Sequence, residues 1–123
     1  MRGVMRAMAI LAVILVPSEA LAGEADVVDV EVTKQGDGRF RFDVTVRHAD
    51  EGWDHYADRW EVRGPDGAAI GVRELAHPHV NEQPFTRSLS GVEIPADVSE
   101  VSVRARDSVH SYGGAQMTVA VPH

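Results

Sequence analysis

The chain contains no cysteine. That excludes thiolate metal sites, redox pairs and cysteine nucleophiles, and it leaves stability to packing alone. Long hydrophobic runs are also missing. Ala7 to Val16 is a ten-residue apolar run that ends at Pro17, well short of the roughly 20 residues a membrane-spanning helix needs. No apolar pattern of helical period extends far enough to define an amphipathic helix. Nucleophile-elbow, phosphate-loop and H-E-x-x-H patterns are absent, although Ser108 and Ser111 flank His110. Catalysis is therefore not the expectation, and no catalytic residue is assigned.

Positive charge is scarce as well. Twelve Lys and Arg stand against nineteen Asp and Glu, a formal net charge of −7. An acidic chain repels phosphate backbones and anionic head groups, which argues against nucleic acid or a membrane surface as partner and favours cations.

The N-terminal residues have the organisation of an export signal. Arg2 and Arg6 precede the apolar run, and Ala20-Leu21-Ala22 supplies the small-x-small pattern a signal peptidase reads. Cleavage is expected after Ala22, giving a signal peptide over 1–22, one domain over 23–123, and a periplasmic or secreted location. With no cysteine to carry a lipid, no membrane anchor is expected. Removal of Arg2, Arg6 and Glu19 with the leader takes the formal charge to −8.

Alternation of period two dominates residues 23–123. Val28, Val30 and Val32 mark a first segment, and Phe40, Phe42, Val44 and Val46 a second. Trp60 and Val62 face inward in a third, before the turn Gly64-Pro65-Asp66-Gly67. Ile70 and Val72 mark a fourth. Phe85 and Leu89 alternate across Arg87, a pattern suited to an edge strand. Val101, Val103 and Ala105, then Met117, Val119 and Val121, complete the set. Seven short strands separated by regular turn signals predict an all-β fold, a seven-stranded antiparallel β-sandwich. The pattern resembles immunoglobulin-like and fibronectin type III-like domains, with Trp60 near the start of the third strand. That resemblance implies a fold and no activity.

If consecutive strands reverse direction, alternate connections gather at opposite ends. The second, fourth and sixth connections then share one pole. They hold His48, His55, His77, His79 and His110, and the acidic residues Asp50, Glu51, Asp54, Asp58, Glu82 and Asp107, with no Lys or Arg. Uncompensated carboxylates favour a bound cation. His77 and His79 flank Pro78 and, in extended chain, project to the same side. They are candidate ligands of a divalent metal, with His48, His55 or His110 completing the set and Asp50, Asp54, Asp58, Glu82 and Asp107 as oxygen ligands or supporting groups. Imidazole and carboxylate without thiolate favour Zn²⁺ or Cu²⁺. Each histidine taken singly also fits a solvated or backbone-bonded loop residue, and Asp50, Asp54 and Asp58 fit the polar side of a helical turn. Trp53, Tyr56 and Tyr112 at the same pole offer the alternative, a protein or ligand surface that needs no metal. Trp53 is also placed to fold back over the end of the core.

Overall fold

The computed structural model describes residues 23–123, and the signal peptide expected over 1–22 lies outside the described residues. Seven strands follow one another: β1 (Asp26–Gly36), β2 (Arg39–Arg47), β3 (Ala57–Arg63), β4 (Ala69–Glu74), β5 (Phe85–Glu93), β6 (Glu100–Asp107) and β7 (Met117–Ala120). They form two sheets, β1-β2-β5 and β4-β3-β6-β7, and every pairing is antiparallel. β5 lies at a sheet edge, which explains how Arg87 is accommodated between Phe85 and Leu89.

The inward faces meet in one apolar core. Phe40, Phe42, Val44 and Val46 from β2 pack with Trp60, Val62, Val101, Val103 and Ala105 from the other sheet, all buried. Each such side chain contributes on the order of 1.5–3 kcal/mol by leaving water. Alternation holds along β2 and β6 because both are central and the extra residues at their irregular pairings lie on the neighbouring strands.

Two strands depart from the expected phase. β1 carries a register shift between Val27 and Asp29, so Val27 is buried while Val28 is the extra residue, and Val30 and Val32 resume the inward face. β4 is irregular opposite Val62 and Arg63: Ile70 packs on the core, whereas Val72 is exposed. A bulge inserts one residue and inverts every later side chain, which period two cannot anticipate.

The turn at Gly64–Gly67 forms as its composition dictates. The Gly67 N–H donates to the Gly64 carbonyl at 2.9 Å, and Gly67 takes a φ of 85°, open to a residue without Cβ. Strand reversal brings the three histidine-bearing connections together. Ser108 N–H donates to the Tyr56 carbonyl at 2.9 Å, and the His79 N–H reaches Asp50 across the second connection.

Candidate metal centre

His48 follows the last residue of β2 on the inward side and is 2% exposed. Its Nδ1 lies 2.5 Å from Asp50 Oδ1, an oxygen that also accepts the Ala57 N–H at 3.1 Å. An ionised carboxylate oxygen can only accept, so it favours the tautomer with the hydrogen on Nδ1, and in that tautomer Nε2 offers a lone pair. His55 repeats the arrangement: its Nδ1 lies 2.8 Å from Glu51 Oε1, four residues earlier.

The two Nε2 atoms converge at 3.2 Å. Each also faces an oxygen that cannot donate. The Gly23 carbonyl lies 2.9 Å from His48 Nε2 and 3.0 Å from His55 Nε2. Asp107 Oδ2 lies 3.0 Å from His55 Nε2 and 3.9 Å from His48 Nε2. Two lone pairs and two oxygens pointing at one another repel unless a positive charge lies between them. A protonated His55 would supply part of it. The Glu51 hydrogen bond raises this ring's pKa above its ordinary value, aided by Gly23 and Asp107 and opposed by burial.

His48, His55 and Asp107 could hold a metal ion. With metal–donor bonds of about 2.0–2.1 Å, donors stand about 3.0 Å apart at right angles and about 3.4 Å apart at tetrahedral angles. Four of the separations, 2.9 to 3.2 Å, fall on or near those values, and His48 Nε2 to Asp107 Oδ2 is wider at 3.9 Å. Asp50 and Glu51 stand behind the imidazoles as the carboxylates that commonly orient metal-bound histidine.

Asp107 ends β6 and is fully buried. Burial works against its charge. The N–H groups of His110 and Val109, at 2.9 and 3.1 Å, and the His110 ring at 3.0 Å outweigh it, holding the carboxyl below its usual range. All of these reach Oδ2, and Oδ1 is buried with no hydrogen-bond partner. Among the described residues, the ion-pair partners of Asp50 and Asp107 are all histidines.

The remaining candidates take other roles. His110 is half exposed and holds Asp107 in place. The His77 and His79 rings do lie together, 4.7 Å between centroids, but His79 stacks on Phe85 at 3.9 Å and His77 faces the Pro78 carbonyl. Asp58 pairs with Arg106 from β6 and Glu82 with Arg87 from β5, so strand arginines supply the counter-charge that the connections lack. Asp54 is exposed, and Asp50, Asp54 and Asp58 share no helical turn. Trp53 does not cap the core. It is 67% exposed and sits edge-on to Tyr56 at 5.6 Å. Tyr112 lies on the second sheet, its hydroxyl on Glu61 and its ring under Arg104. Gly23 and Glu51 complete the centre without having been singled out as site residues. Glu51 could have been found from its spacing to His55, whereas a backbone carbonyl leaves no trace in composition.

His79 gives a prediction of its own. Both ring nitrogens are buried without partners, and burial, with Arg87 and His77 beside it, depresses the pKa. The unfolded chain takes up a proton near pH 6.5, before the folded one does, so stability is present above that pH and lost as the pH falls. His55, with its pKa raised, contributes in the opposite sense. Comparing urea midpoints at pH 7.5 and 5.5 for the metal-free protein and His79→Leu isolates the first effect. Wild type should lose more stability on acidification; equal losses would show that His79 does not titrate this way.

No protein-family model matches the chain. A protein of Halomicrobium mukohataei named "Putative lipoprotein" is 44% identical over 102 residues, covering 83% of this chain and 50% of that protein. The chain thus spans about half the length of the curated relative it matches. A solved structure of a superoxide reductase (neelaredoxin) from Archaeoglobus fulgidus in the reduced form aligns with a TM-score of 0.49 at 12% identity, over 78% of this chain and 87% of the other.

Proposed function

We propose that this is an exported binding protein that holds one divalent transition metal ion, Zn²⁺ or Cu²⁺, at the tip formed by His48, His55, Asp107 and the Gly23 carbonyl. The observation that carries the reading is the pair of imidazoles whose Nδ1 hydrogens are held by carboxylates, so that both Nε2 lone pairs aim at one point lined by oxygen. Two nitrogens with oxygens and no sulfur suit these ions. The role follows as sequestration, delivery or metal-supported recognition. The N-terminal leader pattern supports export, as does the relative named a lipoprotein, and the strand order β1-β2-β5 with β4-β3-β6-β7 supports an immunoglobulin-like or fibronectin type III-like assignment.

Calorimetry with Zn²⁺ and with Cu²⁺ tests the reading. Micromolar or tighter binding at one site is expected, with protons released as His55 gives up its hydrogen. Substitutions behind a metal site typically cost about 10- to 100-fold in affinity, so losing two direct donors in His48→Ala plus His55→Ala should cost more than about 100-fold. His77→Ala should cost little. Millimolar binding, or binding indifferent to the double substitution, would reject the site.

A further inference from the structure

The centre takes an unusual donor from the chain: the carbonyl of Gly23. That residue directly follows the expected cleavage point in Ala20-Leu21-Ala22-Gly23. The start of the domain is pinned at this tip by Val27 N–H on the Ala115 carbonyl at 2.9 Å and Ala115 N–H on Asp26 Oδ1 at 2.7 Å. Gly23 has a φ of 113°, and a Cβ there would lie 3.1 Å from His110 Cε1, so bare backbone is what fits between the rings.

Within a longer chain, Gly23 can offer only its carbonyl, because an amide nitrogen has no lone pair to give at neutral pH. Once the chain begins at Gly23, the same residue carries a primary amine two bonds from the carbonyl carbon. An amine and a carbonyl so placed close a five-membered ring on a metal ion. The ordinary pKa of an α-amino group is about 8, so a metal displaces its proton near neutral pH.

We infer that removal of the leader after Ala22 completes the metal centre, the new α-amino nitrogen and the carbonyl of Gly23 chelating the ion alongside His48, His55 and Asp107. The inference rests on the proposed metal site and adds that processing switches it on. Before cleavage the site has one nitrogen donor fewer and binds more weakly. After cleavage the protein loads, so metal is taken up in the compartment where the leader is removed.

Two forms test it, residues 23–123 and residues 22–123, each released from a fusion by a protease that leaves the stated first residue. Residues 23–123 hold both sheets and the whole core, and the longer form carries only the residue that naturally precedes Gly23. Equal melting temperatures without metal are expected. The 23–123 form should bind Cu²⁺ and Zn²⁺ at least about tenfold more tightly, since two donors on one residue make the second contact intramolecular. It should also release one more proton, and its Cu²⁺ paramagnetic resonance spectrum should indicate one more nitrogen. Equal affinities and identical spectra, with His48→Ala abolishing binding in both forms, would overturn the role of the amine and leave the metal site standing. Absence of binding in both forms would overturn the site and the inference together.

Discussion

Asp50→Ala should lower stability by about 3–5 kcal/mol, the range seen when one partner of a buried, hydrogen-bonded charged group is removed. Oδ1 accepts from the His48 ring at 2.5 Å and from Ala57 N–H at 3.1 Å, and Oδ2 accepts from His79 N–H at 2.6 Å. One side chain thus joins the end of β2, the start of β3 and the connection between β4 and β5. Truncation strands two backbone donors and an imidazole away from water, each costing about 1–3 kcal/mol. Asp50→Asn keeps the size but turns an amide hydrogen towards one of the three donors, so it should fall between wild type and alanine. Urea unfolding followed by circular dichroism measures both. A loss below about 1 kcal/mol for Asp50→Ala would show that these two connections do not depend on this carboxylate.

Gly114→Ala is the second large effect expected. A Cβ at Gly114 would land inside the Ala25 backbone carbonyl, and backbone cannot swing aside as a side-chain tip can. Either the connection between β6 and β7 or the residues ahead of β1 must move. Overpacking of this kind costs about 1–3 kcal/mol and sometimes more. Movement of Ala25 also draws Gly23 away from the imidazoles, so metal affinity should fall along with the melting temperature. Gly113→Ala provides the contrast. A Cβ there meets the Glu24 carboxylate, the end of a flexible side chain, which can rotate away. If the two variants behave alike in thermal melts and metal titrations, the close approach at Gly114 is not what positions the start of the chain.

The sandwich was legible because β2 and β6 are central strands whose inward residues obey strict alternation, and the parity of the connections follows from antiparallel pairing alone. The misplaced residues have a common cause. Val28 and Val72 stand beside irregularities in pairing, and a bulge is decided by a strand's neighbour more than by its own residues. At the tip, His48, His55 and Asp107 are legible from the sequence as members of the histidine and carboxylate pole, whereas the pairing of His77 and His79 follows from local geometry alone. Those two rings do lie together, yet His79 is turned onto Phe85, because Asp50 draws the His79 backbone inward, and His77 stays exposed. The pairing of Asp58 and Glu82 with arginines on β6 and β5 is likewise a contact between distant segments. Only the folded chain reveals it.

The donors around the centre are divided evenly between the layers. Gly23 and His48 border β1 and β2 of one sheet, while His55 precedes β3 and Asp107 ends β6 of the other. A bound ion would therefore act as a rivet through the sandwich, fastening at its open rim two plates that elsewhere adhere chiefly through oily contact. Pulling them apart would then require breaking coordinate bonds before any strand peeled away.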